Sequence, residues 1–167
     1  MAREGMEVDP ESVYLLVRAL RDEADGRQLR LDLARKFRGA ARPALVAVRA
    51  AVRTMPSMGL GHSPSLRAKV ASAVKMTVRV SRKAGVSIWV DETRPMPRGF
   101  DKAPAYLNSD KPWRHPVFGN RRNWVAQRSR RPGWFTDTLE QFYPAFVHQA
   151  SEALEHVARR ISMKTRG

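Results

Sequence analysis

The apolar periodicity of the chain changes near Val74, and this change constrains the fold more than any other feature. Before it, apolar residues recur every three or four positions, as on one side of an α-helix. From Val74 they alternate with polar residues, as on a β-strand with one covered face: the apolar positions are Val74, Met76, Val78, Val80, Val86, Ile88 and Val90. The pattern predicts a β-hairpin over about 72–91. A two-stranded ribbon is marginally stable alone, so helices or further strands must cover its apolar face.

The N-terminal part is predicted to be helical between residues 10 and 56. Asp9-Pro10-Glu11 is a typical helix start and predicts a helix over about 10–22. A longer helical stretch follows from Leu29 to Val52, which Gly39 and Pro43 are expected to bend or split. The helical part ends at Met55-Pro56, and residues 57–65 have the composition of a loop.

The C-terminal part is predicted to be one amphipathic helix preceded by a long loop. Six prolines lie between Arg94 and Pro132, which predicts an extended loop over 94–132. Thr136-Asp137 with Glu140 resembles a capping box and predicts a helix over 136–162, with a break or kink near Pro144. The expected fold class is therefore α+β, with long helices packed on a small antiparallel sheet. We expect a single domain over 1–167, made of a helical part (10–56), the hairpin (66–93), the loop (94–132) and the final helix (136–162).

Charge and cysteine content restrict the class of partner and the compartment. The 31 basic and 16 acidic residues give a net charge of +15, which favours polyanions or acidic protein surfaces as partners. Eight of the 16 acids lie within residues 1–32, and the next is Asp91, so an acidic head precedes a basic body. The absence of cysteine excludes disulfides and thiolate chemistry and suits assembly in a reducing cell interior. Neither a signal peptide nor a membrane span is predicted.

Sequence motifs for catalysis are weak. Gly59-Leu60-Gly61-His62-Ser63 lacks the Lys-Ser/Thr pair of a phosphate-binding loop. His148, Glu152 and His156 share one face of the last predicted helix and could ligate a metal, but a solvated helix face is the preferred interpretation. We therefore predict no enzyme activity, no cofactor and no metal.

The segment 111–135 contains three of the four tryptophans and seven Lys or Arg residues, without an acid. Such a segment suits three roles: the centre of a protein interface, a covering for the domain's own core, or base stacking on a nucleic acid. Interface or core is favoured, because the common stacking platforms place their rings on a sheet. The residues predicted to contact neighbouring subunits are Trp113, Arg114, Arg121, Arg122, Trp124 and Trp134. Those predicted to contact DNA or an acidic partner, at the tip of the first hairpin, are Arg79, Arg82 and Lys83.

The order of these elements resembles the tailed-phage neck proteins of the tail-completion, or head–tail joining, family, especially those of actinophages. Arg53, Pro56 and Ser65-Leu66-Arg67 occupy the places of a basic residue, a proline and a Leu-Arg pair typical of that family. The segments 113–125 and 132–135 are similar to the loop and final helix start of the actinophage members. The Tyr-Ala and Glu-Phe-Gly strand of the wider family is replaced by Ala105-Tyr106 and Phe118-Gly119, so further strands are not predicted.

The resemblance implies a structural virion protein without catalysis. It implies a homo-oligomeric ring, hexameric in the family, that joins the head connector to the tail and surrounds a channel for genomic DNA. Its partners would be the connector or adaptor and the tail-terminator or tail-tube proteins, in the virion neck after assembly in the host cytoplasm. The alternative from the residues alone is a basic DNA- or RNA-binding protein that uses the Trp/Arg-rich loop.

Overall fold

The architecture is α+β, as predicted. The computed structural model describes residues 5–6, 15, 18, 26–56, 65–81, 84–92, 96, 100–117 and 120–164. Its elements, in chain order, are β1 (Gly5–Met6), α1 (Gly26–Arg53), α2 (Ser65–Ala73), β2 (Val74–Arg79), β3 (Gly85–Val90), α3 (Ala103–Asn108), β4 (Trp113–Val117), β5 (Asn120–Gln127) and α4 (Thr136–Lys164). The strands form one sheet in the order β1-β3-β2 and a second sheet of β4 and β5. No helix within these residues is both long and apolar enough to cross a membrane.

The chain divides into two compact units. The first comprises Met1–Leu45, Met76–Trp89 and Gln141–Gly167, and the second comprises Val46–Lys75 and Val90–Glu140. Helices α1 and α4 contribute residues to both units, and the single domain expected for the chain stays a prediction.

The first unit is built around the apolar stripes of α1 and α4. Leu29, Leu33 and Phe37 of α1 are buried, and Phe37 meets Phe146 of α4 edge to face at a ring distance of 6.3 Å. The hairpin predicted over 72–91 is confirmed as β2 and β3, whose side chains alternate in burial. Strand β1 adds to β3 in antiparallel register, with Gly5 opposite Ser87. Of the helix predicted over 10–22, only residues 15 and 18 are described, and both are helical.

Helix α1 is continuous, so the split considered at Gly39 and Pro43 does not occur. A proline inside a helix removes one hydrogen bond and costs about 3 kcal/mol. Pro43 is exposed, and the buried stripe continues past it through Ala44 and Val48. Packing on both sides of the proline therefore keeps the helix together. Helix α4 likewise runs through Pro144 without a break.

The second unit contains a helix that the sequence pattern did not predict. Residues 65–73 form α2, whereas the hairpin region was expected to begin at residue 66. The segment is rich in alanine, the strongest helix former, but it has no regular apolar stripe. The Arg67 guanidinium donates to the Met55 carbonyl, and Arg49 donates to the Val74 carbonyl at 2.7 Å. These bonds tie α2 and the start of β2 to the end of α1.

The long loop predicted over 94–132 is wrong for most of its described part, which contains α3, β4 and β5. The described prolines occupy positions that regular structure tolerates. Pro104 lies in the first turn of α3, where its missing N–H has no partner to lose. Pro112 precedes β4, and Pro116 adjoins the irregularity in the β4–β5 pairing. Counting prolines therefore overestimated their effect. Residues 57–64 lie outside the described part.

The turn before α4 depends on Gly133, which has a left-handed φ of 71°. Its N–H donates to the Asn108 carbonyl at 2.8 Å, and the Phe135 N–H donates to the Asn108 side-chain oxygen at 2.9 Å. A Cβ at Gly133 would overlap the Asp137 carboxyl group. The left-handed φ therefore favours glycine, and a Cβ would in addition displace the exposed Asp137 side chain.

Replacement of Gly133 by alanine is expected to destabilise the protein by at least about 1–2 kcal/mol, the cost of a left-handed residue with a Cβ. Urea unfolding would measure it. The matched control is Gly39→Ala in α1, where a Cβ meets no atom within 4 Å. That change should be neutral or stabilise by up to about 1 kcal/mol, because alanine is the better helix former. Equal effects at the two glycines would contradict the role given to Gly133.

Candidate interaction site

Five of the six predicted subunit-contact residues lie on the basic hairpin, defined as strands β4 (113–117) and β5 (120–127). Strand β4 carries Trp113 and Arg114, and β5 carries Arg121, Arg122 and Trp124. The strands pair antiparallel, with Trp113 opposite Gln127 and Pro116 opposite Trp124. Residues 111–135 include no acid. The sequence analysis placed these residues on a loop, whereas they lie on two paired strands.

One face of the basic hairpin contacts side chains that precede it in the sequence. Opposite and alternate residues of paired strands share a face, so Trp113 and His115 lie on this side. The Trp113 ring stacks on Tyr106 of α3, with centroids 5.7 Å apart and planes 5° from parallel. His115 lies 6.4 Å from the Phe100 ring. Tyr106 and Phe100 thus orient the hairpin, a role that sequence analysis missed because nothing in a single sequence pairs them with β4.

The other face carries Arg114, Pro116, Trp124 and Ala126, and it is open. Trp124 is 46% exposed, and its indole N–H donates to the Arg121 carbonyl at 2.7 Å. This bond fixes one edge of the ring and leaves ring surface in solvent. Within the described part of the chain, no carboxylate forms a salt bridge with Arg114, Arg121 or Arg122. The open face therefore offers an ordered aromatic ring together with the guanidinium group of Arg114.

Strand β5 is exposed to an unusual extent. Every side chain from Asn120 to Ala126 is exposed, although alternate positions belong to opposite faces. Each of the two strands pairs with only one partner among the described residues, so each has an outer edge with backbone groups available for pairing. A ribbon of this kind gains stability when another surface covers it.

Trp134 is not an interface residue, and that prediction is wrong. Its side chain is 1% exposed and packs against Phe135, with ring centroids 5.5 Å apart. The indole Nε1 is buried without a hydrogen-bond partner in the described structure. Trp134 belongs to the second unit and is buried between the turn at Gly133 and the start of α4. The core role was among the alternatives considered for the tryptophans of this segment.

The residues predicted to contact DNA at the first hairpin are described in part. Arg79 ends β2 and is exposed, as such a contact requires. Arg82 and Lys83 lie outside the described residues. The contact of all three with DNA or an acidic partner stays a prediction.

The side chains of His148, Glu152 and His156 are exposed on α4. His148 Nδ1 lies 3.6 Å from Glu152 Oε2, and both side chains are largely in solvent. A shallow groove of about 570 Å³ between α1 and α4 includes Glu152 and His156 together with Lys36 and Arg159. The residues described form no group of three or more His, Asp or Glu side chains that could hold a metal ion. Exposed pairs of this type contribute about 0–1 kcal/mol.

The arrangement is thus a basic two-stranded ribbon with one face supported by α3 and one face open. Comparison of the chain with protein families, curated proteins and solved structures finds no significant match. Its function is therefore inferred from the basic hairpin and from the order of its elements.

Proposed function

We propose that this chain is a structural protein of a tailed-phage neck, and that the basic hairpin is the arm by which it contacts neighbouring subunits. In this role it forms a ring that joins the head connector to the tail around the DNA channel, without a catalytic step. The resemblance in the order of elements supports the particle and the location. The geometry of the hairpin supports the assembly role.

The observation that carries the proposal is the exposure of β5 together with Trp124. Protein interfaces are enriched in tryptophan and arginine at their centres, where ring area and several hydrogen bonds are obtained together. The basic hairpin presents these residue types on a strand whose side chains are exposed from Asn120 to Ala126. Because Tyr106 holds Trp113 and the Arg121 carbonyl holds Trp124, the contact surface is ordered before binding. Ordering in advance lowers the entropy lost on association.

The same geometry disfavours base stacking on the three tryptophans. Single-stranded nucleic acids stack successive bases on successive free rings. Here one face of Trp113 is covered by Tyr106, and Trp134 is buried. Of these three rings, Trp124 alone is largely exposed, which favours a protein contact centred on one anchor. The alternative, a DNA- or RNA-binding protein, is then restricted to base stacking on Trp124, close to the arginines of the basic hairpin.

Disruption of the gene in the genome that encodes it tests the role. A joining protein, when lost, should leave DNA-filled heads and separate tails, visible by negative-stain electron microscopy. Fully joined, infectious particles from the disrupted strain would overturn the proposal. A normal particle count together with loss of DNA or RNA binding in extracts would instead support the nucleic-acid alternative.

Complementation of that strain with the double variant Trp124→Ala/Arg114→Gln is expected to fail. Central interface residues of these types cost about 2 kcal/mol or more when truncated, which is roughly thirtyfold in affinity for one contact. The fraction of heads joined to tails, counted in micrographs, is the measurement. The matched control is Met163→Ala/Lys69→Gln, which removes one exposed apolar side chain and one exposed positive charge elsewhere. Equal joining by the two double variants would show that the hairpin is not the arm.

A further inference from the structure

Helix α1 has a second face that the proposed function does not use. Within the first unit its buried residues include Leu29, Leu33 and Phe37. Residues 27, 31, 35, 38 and 42 follow one another at intervals of three or four and therefore share the exposed side of the helix. Four of these are arginines, and the fifth is Leu31, which is 51% exposed. We call Arg27, Arg35, Arg38 and Arg42 the arginine face.

The charge of the arginine face is largely uncompensated. No carboxylate in the described structure forms a salt bridge with Arg27, Arg38 or Arg42. The single acid of α1 is Asp32, which accepts a hydrogen bond from Arg35 and lies 3.5 Å from Arg160 Nη1 of α4. The hydrogen bond from Arg35 lowers the pKa of Asp32, so this carboxylate is ionised at neutral pH. One negative charge is thus shared by two guanidinium groups, and the patch remains positive.

We propose that the arginine face binds the phosphate backbone of duplex DNA. Arginine presents a planar fork of donors that matches phosphate oxygens, and its charge persists at all physiological pH values. From Arg27 to Arg42 the face extends for about 22 Å along a continuous helix, so its cations form a line rather than a point. A line of like charges repels itself and is stabilised by a linear polyanion.

The residue types select duplex DNA over the other partners. A single strand would require aromatic rings for stacking, and the arginine face contains none. The centres of protein interfaces usually combine arginine with large aromatic side chains, as on the basic hairpin, whereas the arginine face has no aromatic side chain. Backbone contacts carry no sequence information, so the binding is non-specific and salt-dependent. The inference deepens the proposed function and rests on it, since the neck would bring DNA to this face.

Fluorescence anisotropy of a labelled duplex of mixed sequence, titrated with the purified full chain at a series of KCl concentrations, tests the inference. The slope of log affinity against log salt is negative, and its magnitude falls by about 0.9 for each phosphate contact removed. The triple variant R35Q/R38Q/R42Q is expected to reduce the slope by about 2 to 3. Asp32→Asn should act in the opposite direction and tighten binding, because it releases Arg35 and Arg160 from their shared carboxylate.

The matched control is R114Q/R121Q/R122Q, which removes the same charge from the basic hairpin and is expected to change the slope by less than about 1. Circular dichroism and thermal unfolding establish that both variants are folded. If the α1 triple variant does not fold, the single variants R38Q and R42Q are measured in its place. Each is expected to reduce the magnitude of the salt slope by about 0.9. Equal slopes for the two triple variants, a larger loss in the hairpin variant, or no duplex binding by the wild type would overturn the inference. Because purified protein and duplex suffice, this failure is separate from a failure of head–tail joining in the disrupted strain.

Discussion

Replacement of Trp134 by alanine is expected to lower the free energy of unfolding by about 3–5 kcal/mol. The side chain is 1% exposed and packs edge to face on Phe135, so its removal leaves a large cavity in the second unit. Urea unfolding followed by circular dichroism measures the change, with the midpoint and slope reported separately.

Two further substitutions give this prediction its controls. Trp134→Phe should cost less than alanine, because phenylalanine keeps much of the ring volume and removes the indole N–H, which is buried without a partner. Trp124→Ala should change the free energy of unfolding by no more than about 0.5 kcal/mol, as is usual for an exposed side chain. If Trp124→Ala destabilises as strongly as Trp134→Ala, the assignment of one ring to the core and the other to the surface is wrong.

The contrast between Trp124 and Trp134 shows what local sequence could and could not reveal about the site. Both rings stand in a basic segment bounded by prolines, and composition treats them alike. The buried ring, Trp134, directly follows Gly133, whose N–H donates to the carbonyl of Asn108, 25 residues away in the chain. A contact between distant residues leaves no periodic signal. The sequence therefore indicates the segment proposed to carry the site, and the fold determines which of its side chains are exposed.

Periodicity predicted the elements whose one face is buried and failed for those without such a face. The hairpin of β2 and β3, the extent of α1 and the helix α4 all have regular apolar spacing, and all were predicted. In the basic hairpin, β5 has almost uniformly exposed side chains and β4 almost uniformly half-buried ones, so no apolar alternation marks either strand. Helix α2 relies on alanines, which are small enough to be buried on several sides. Strands without a buried face and helices with small buried side chains show no apolar periodicity in the sequence. The same exposure makes the basic hairpin a candidate for binding.

Phe37→Ala in the first unit is expected to cost about 3–5 kcal/mol, as is Phe146→Ala. The two rings pack edge to face at 6.3 Å and are buried, so they share contacts. The double variant should therefore cost less than the sum of the single variants, since the second truncation removes contacts that the first has already weakened. Additive losses would show that the pair does not interact.

Comparison of the single variants Phe37→Ala and Trp134→Ala also tests the prediction of a single domain. Phe37 belongs to the first compact unit and Trp134 to the second. In a single cooperative domain, either substitution lowers one common transition, and far-UV circular dichroism and tryptophan fluorescence report the same midpoint. We expect this result, because α1 and α4 run through both units and melting of one unit would break each helix within its length. Two separate transitions, each shifted by only one of the substitutions, would show that the units unfold independently.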